Sequence, residues 1–307
     1  MKVHSKAVAR AVFVTFLWST SWVLIRFGLQ SIPPLTFAAL RYGMATIVLW
    51  LFIALRGRGS STLSLPARQW PRLILLGIVY YTITQASQFI ALSHLRPTTL
   101  SLLLSFSTVI TAIISRISIH ERTLLRQWAG VVLYVGATIV FLLPNIEGQW
   151  SLVGYTAAGI GVLANAAAGV LGRSINRTKQ LTSIAVTVIS MSVGSAVLIA
   201  VAAITDGLPS LGLREWGILL WLSIINTAFA FVMWNQAHQE LQAVQSSVIN
   251  STMLFQISLL AFIFLGERLL PLQWLMIAVG GLATLTVQLA SAAPSRRFIS
   301  QRGDKLS

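Results

Sequence analysis

The chain has 307 residues, of which 56% are hydrophobic and only 9% are Asp, Glu, Lys or Arg. A soluble domain carries roughly 25% charged residues, so this composition excludes a protein bathed in water on every side, and the absence of Cys excludes disulfides, thiolate metal sites and cysteine nucleophiles. The formal net charge is +15, but the basic residues sit in short clusters between long apolar runs, the pattern of cytoplasmic loops rather than of a nucleic-acid groove, and no nucleic-acid partner is expected.

A bilayer-spanning helix needs about 20 mostly apolar residues. Ten such runs follow one another, at 7–29, 34–55, 72–93, 97–117, 126–144, 151–172, 182–204, 214–236, 243–265 and 271–291. The first is too long for a signal-peptide core and has no small-residue cleavage site behind it, so it is expected to be retained. Pro33, Pro34, Pro66, Pro71, Pro97, Pro144, Pro209, Pro271 and Pro294 all fall in connections or at span ends, where proline is tolerated. Trp70, Trp128, Trp150, Trp216 and Trp274 lie near span ends, as an interfacial aromatic belt requires.

With the N-terminus in the cytoplasm and ten alternating spans, the inner side holds Lys2, Lys6, Arg10, Arg56, Arg58, Arg68, Arg72, Arg116, Arg122, Arg126, Arg173, Arg177, Lys179, Arg296, Arg297, Arg302 and Lys305. The outer side holds Arg96, Arg214 and Arg268, while Arg26 and Arg41 fall within spans. This bias predicts a multi-pass protein of the inner (plasma) membrane, in contact with lipid, with both termini cytoplasmic.

Shifted by 146 residues, the sequence matches itself without a gap. Ser101 and Ser105 meet Ser247 and Ser251, Glu121-Arg122 meets Glu267-Arg268, and Gln127-Trp128 meets Gln273-Trp274. Two halves of five helices are expected, and an odd number per half makes the second cross the membrane in the opposite sense.

The segment WSTSWVLIRFGLQSIPPLTFAALRYGMA (Trp18–Ala45) resembles the first two helices of the drug/metabolite transporter superfamily, EamA type. SRISIHERTLLRQWAGVVLYVGA and FLGERLLPLQW resemble its repeat signature. The resemblance covers about residues 8–290. It implies an all-α integral membrane fold of ten transmembrane helices, with residues 1–146 and 147–292 as inverted EamA-type repeats and 293–307 as a basic tail. It also implies a central cavity, and alternating access that often exports amino acids or other metabolites. One departure is plain: family members often carry a Pro in the fourth or ninth helix, and here those stretches read LLLSFSTVIT and VINSTMLFQI.

Polar groups inside hydrocarbon face the bundle interior, which makes them the candidates for a substrate pathway; helix–helix hydrogen bonding is the alternative for each. Arg41 lies seven residues into the second run, about 10 Å deep, where a guanidinium can clasp a substrate carboxylate or snorkel outward. Trp18 and Trp22 share one face of the first helix. Tyr81, Gln85 and Gln88 follow helical spacing on the third run, and Asn226, Trp234 and Asn235 give the eighth a similar polar and aromatic midsection. Ser105 on the fourth run, with Asn250 and Ser251 on the ninth, forms a second polar pair, and Asn165 is an isolated amide in the sixth. His94 and His238, near span ends, read as loop histidines, and Glu121 and Glu267 as anchors.

No acid falls near mid-membrane: Glu121, Glu147, Asp206, Glu215, Glu240, Glu267 and Asp304 are all at ends, in loops or in the tail. A proton-coupled exporter of organic cations needs such a carboxylate, so a neutral, zwitterionic or anionic small molecule is the expected cargo, ahead of a drug-exporting role within the superfamily. No G-x-x-x-x-G-K-[ST], HExxH or GxSxG element is present, so no cofactor, metal or catalytic residue is expected. A membrane enzyme acting on lipid head groups is the alternative from another class, and clustered acids or histidines would mark it. Oligomeric state stays open, a monomer included.

Overall fold

The computed structural model describes residues 2–55, 65–119, 125–142, 151–207, 210–265 and 270–292. These form helices and short connections, with no strand among them. Eight helices are long and apolar enough to cross a membrane: α1 (Lys2–Gly28), α2 (Pro34–Leu55), α3 (Ala67–His94), α4 (Pro97–Ser118), α6 (Leu152–Asn176), α7 (Ser183–Thr205), α8 (Leu213–His238) and α9 (Ala243–Phe264). Two more, α5 (Leu125–Leu142) and α10 (Pro271–Ala292), contain shorter apolar stretches, Leu125–Phe141 and Pro271–Val287. At 1.5 Å per residue each of those stretches is roughly 26 Å long, the short end of what spans a bilayer. Multiple apolar helices of this length make the chain a multi-pass membrane protein. Glu121, Glu267 and the basic tail lie outside the described residues.

Local chemistry sets the helix ends. Pro34, Pro97 and Pro271 open α2, α4 and α10, at the position where a missing N–H costs nothing. Ser151 and Thr182 cap α6 and α7 by accepting from the Gly154 and Ala185 amides. The α7 terminus in turn caps α2: Asp206 Oδ2 accepts from the Leu35 and Thr36 amides, both at 3.1 Å. Asp206→Ala is expected to lower stability by about 1 kcal/mol, read as a lower thermal midpoint in detergent; an unchanged midpoint would show that the cap contributes nothing.

Interhelical bonds sort the helix ends into two faces. On the first face, Asp206 meets the start of α2, and Arg26 near the end of α1 donates to the Leu92 carbonyl of α3 at 2.9 Å. On the second face, Gln69 donates to Gln180 ahead of α7 at 2.8 Å, Arg173 donates to the His238 carbonyl at 2.8 Å, and Lys179 pairs with Glu240.

Helix pairing is unchanged when α1–α5 are exchanged for α6–α10. The helices α2, α4 and α5 each pack on their own counterparts α7, α9 and α10, while α1 on α8 mirrors α3 on α6, and α2 on α8 mirrors α3 on α7. Glycines bring paired helices close. A Cβ at Gly130 would lie 2.5 Å from Val287 across α5–α10, and one at Gly194 would lie 2.5 Å from the Gly77 carbonyl across α7–α3. Small residues at such crossings are the rule in bilayers, where close packing replaces the hydrophobic drive.

Two backbone irregularities recur at the repeat spacing. The middle of α3, Gly77–Thr84, and of α8, Ile224–Phe229, is π-helical. The fourth helix breaks at Phe106 and the ninth at Thr252, 146 residues apart. The breaks occur without proline. At each, the amide reaches back three residues, Phe106 to Leu103 and Thr252 to Ile249. The hydroxyls of Ser105 and Thr252 occupy the Leu102 and Ile249 carbonyls. Serine and threonine competing for helix carbonyls bend helices.

Candidate substrate cavity

The interior is not fully packed. A cavity of about 770 Å³, its open mouth included, is walled by α1, α2, α3, α4, α6, α8 and α9. Ile25, Leu92 and Ser101, near the first-face ends of their helices, contribute to it. Of the residues singled out by sequence, Trp18, Trp22, Arg41, Gln85, Gln88, Ser105, Asn165, Asn250 and Ser251 line this one space. A second, smaller cavity of about 280 Å³, its open mouth again included, is lined by Thr111, Trp234, His238, Ala243, Ser246 and Ser247, closer to the second face, together with Tyr80, Gly169, Asn165 and Asn250.

Arg41 is buried, at 3% exposure. Its Nε donates to Thr227 Oγ1 at 2.7 Å, and its Nη2 to the Asn226 carbonyl at 3.3 Å and to Ser21 Oγ at 3.5 Å. The Nη1 nitrogen has no partner among the described residues. No Asp or Glu lines either cavity among those residues, so the guanidinium charge is held by neutral groups and left uncompensated. Four primary amides, Gln85, Gln88, Asn165 and Asn250, share the cavity with it. Asn165 donates to Ser107 at 3.2 Å, whereas the side chains of Gln85, Gln88 and Asn250 make no hydrogen bond among the described residues. Gln85 is only 6% exposed, so its amide is presented to the cavity, and the half-buried Gln88 and Asn250 line it as well.

Four sequence candidates stand elsewhere. Tyr81 is fully enclosed, its ring 5.0 Å from Phe231 and 6.1 Å from Tyr42. Asn226 donates to the Leu17 carbonyl at 2.5 Å and to Thr20 at 3.0 Å, and its own carbonyl accepts from Trp18 Nε1 at 3.1 Å; it holds Trp18 and Arg41 in place rather than facing the cavity. Asn235 bonds Thr187 at 2.9 Å and Asn176 at 2.7 Å in the core. Trp234 belongs to the second cavity. His238, read from sequence as a loop residue, is 2% exposed, sits with its ring tilted 4.9 Å from that of Trp234 and lines that same cavity, because α8 continues to this residue before turning.

Sequence reasoning missed Phe231 and Tyr80. Phe231 is the hub of an aromatic cluster, its ring 4.9 Å from Trp18, 5.3 Å from Tyr80 and 6.0 Å from Tyr42. Tyr80 faces both cavities although its neighbour Tyr81 fits the α-helical spacing to Gln85 and Gln88 better. The reason is the π-helical stretch: a wider turn sets residues five apart on one face, which aligns Tyr80 with Gln85. The doubled tyrosine was the available signal, and only the local winding says which of the two turns inward.

The EamA-like transporter family matches residues 5–143 and, a second time, residues 152–288. The chain belongs to this family of membrane transporters. The uncharacterized transporter YyaM of Bacillus subtilis is 26% identical over 233 residues, 73% of this chain and 75% of that one. The "Probable amino-acid metabolite efflux pump" of Escherichia coli is 23% identical over 234 residues, 73% of this chain and 75% of that one. A solved crystal structure superposes with a TM-score of 0.75 at 20% identity, over 93% of this chain and 97% of that one, which establishes likeness of fold.

Proposed function

We propose that this EamA-family protein exports amino acids or related zwitterionic and anionic metabolites by alternating access, as ten spans in two inverted five-helix repeats embedded in the bilayer with both termini in the cytoplasm. The observation that carries the cargo class is the buried guanidinium of Arg41, unbalanced by any acid and open at Nη1 to a cavity rich in free amides. A charge buried without a counter-ion is costly, and a carboxylate arriving with the cargo offsets that cost while the site is occupied. The free amides and the neighbouring apolar rings supply the remaining contacts, in the manner of small-molecule sites generally.

The inverted arrangement is supported by the exchange symmetry of the helix pairing, by the π-helical stretches and helix breaks that recur 146 residues apart, and by the two separate family matches. Export of amino acids is supported by the name of the Escherichia coli relative. Purified protein in proteoliposomes is expected to give saturable flux of labelled amino acids, competed by unlabelled compounds that keep a carboxylate. No saturable flux across a broad metabolite panel would overturn the transport reading, and termini tagged on opposite membrane faces would overturn the inverted one.

A further inference from the structure

The two cavities are lined by different residues with three exceptions. Tyr80 of α3, Asn165 of α6 and Asn250 of α9 are common to both. Rings from α1, α3 and α8 crowd one side of this point: Phe231 sits 5.3 Å from Tyr80 and 4.9 Å from Trp18, and Trp18 sits 5.1 Å from Trp234. Among the described residues, the only side chains that line both cavities are therefore those three.

They are also unequal in their commitments. Asn165 is tied to Ser107 by one bond at 3.2 Å, while the Asn250 amide has no partner among the described residues. Asn250 lies in the last turn before the α9 break at Thr252, where the Ser251 carbonyl is taken by the Tyr134 hydroxyl. A side chain next to a break can swing with the shorter half of its helix, and Tyr80 lies within the π-helical stretch of α3, a feature common at functional sites.

We infer that Tyr80, Asn165 and Asn250 form the crossing point of the transport route, where cargo is handed from the first-face cavity to the second-face cavity, and that the free amide of Asn250 accompanies it by hydrogen bonding from either side. The inference rests on the transport reading above and adds to it the residues at which access switches.

The natural absence of Cys allows a direct test. Single variants Gln88→Cys, Ser247→Cys and Asn250→Cys are made in the full chain and reconstituted into sealed vesicles. A small, charged, membrane-impermeant methanethiosulfonate is added on one side or the other. Gln88 lines only the first cavity and Ser247 only the second. Gln88→Cys is expected to react from the first face alone, Ser247→Cys from the second alone, and Asn250→Cys from both. Reaction of Asn250→Cys from a single face, or from neither, overturns the inference. Should that variant fail to fold, Tyr80→Cys carries the same expectation and the same refutation.

A second measurement is kinetic. Asn250→Leu should lower maximal flux by roughly tenfold, the loss of about one hydrogen bond in the crossing state, with half-saturation little changed. Unchanged maximal flux in Asn250→Leu overturns the inference while leaving transport itself intact. Absent flux in the unaltered protein overturns the transport reading instead, so the two failures are distinguishable.

Discussion

Arg41→Ala is expected to reduce flux of carboxylate-bearing cargo by roughly 10²–10³-fold, because a carboxylate brought into the cavity would then be buried with no cation to meet it, a loss of about 3–4 kcal/mol. The same substitution should leave folding intact. Thr227, which accepts from Arg41 Nε, also donates to the Leu222 carbonyl at 2.8 Å, and the Asn226 carbonyl keeps its bond from Trp18, so no buried partner is orphaned. Removing an uncompensated charge from the interior relieves a cost besides. Arg41→Lys should fall between the two: an ammonium restores charge, but a point donor cannot reproduce the fork that reaches Thr227, Asn226 and the cavity together. Flux in proteoliposomes, paired with the thermal midpoint in detergent, checks this. A large fall in midpoint with unaltered flux would make Arg41 a structural strut and remove the carboxylate site.

Gly194→Val should be the most damaging change to stability. A Cβ at 194 would lie 2.4 Å from the Tyr81 Cβ and 2.5 Å from the Gly77 carbonyl, while a Cβ at Gly77 would meet the Ser190 carbonyl at 2.5 Å. The two carbonyl contacts are with backbone, and a Cβ is fixed to it, so neither can rotate aside and α3 and α7 must separate. Overpacking of this kind costs about 1–3 kcal/mol for small insertions and more for a branched side chain. Thr82 Oγ1 also bonds the Gly194 carbonyl at 3.0 Å, and separation would break that bond and displace Tyr81 against Phe231. Gly159→Ala is the control, since nothing lies within 4 Å of a Cβ there. A midpoint several degrees lower for Gly194→Val and unchanged or higher for Gly159→Ala is the expected pair of results; equal midpoints would show that the crossing is not tight.

Much of the helical layout was legible in the sequence. Apolar runs bounded by Pro34, Pro97 and Pro271 became helices starting at those residues, because length, hydropathy and the missing proline donor are all local. Two of the runs gave apolar helices short of the others, Leu125–Phe141 and Pro271–Val287. The cavity was legible in part. Polar residues in apolar helices have few places to go, which is why Arg41, Gln85, Gln88, Asn165 and Asn250 converge. Asn226 and Asn235 obey the same rule by bonding other helices instead, and composition cannot separate the two outcomes. Tyr80 and the helix breaks at Phe106 and Thr252 were hidden for a different reason: they depend on departures from 3.6 residues per turn, which no periodicity assumed in advance can reveal.

The close approach of Gly130 to Val287 bears on how such a chain can be assembled. Under the two-fold relation proposed above, the mirror of that contact pairs Met276 with Phe141, 146 residues from Gly130 and Val287 respectively. Small meets medium on one side and large meets large on the other. A symmetric dimer built from the amino-terminal half would set Gly130 opposite a phenylalanine in a slot already filled by valine, and one built from the carboxyl-terminal half would set a methionine there. A self-associating subunit needs a self-complementary patch, and at this contact neither half offers one. Under that proposed relation the halves fit each other at this contact and not themselves, so expressing either alone should yield no native-like pair, while co-expressing the two as separate polypeptides should.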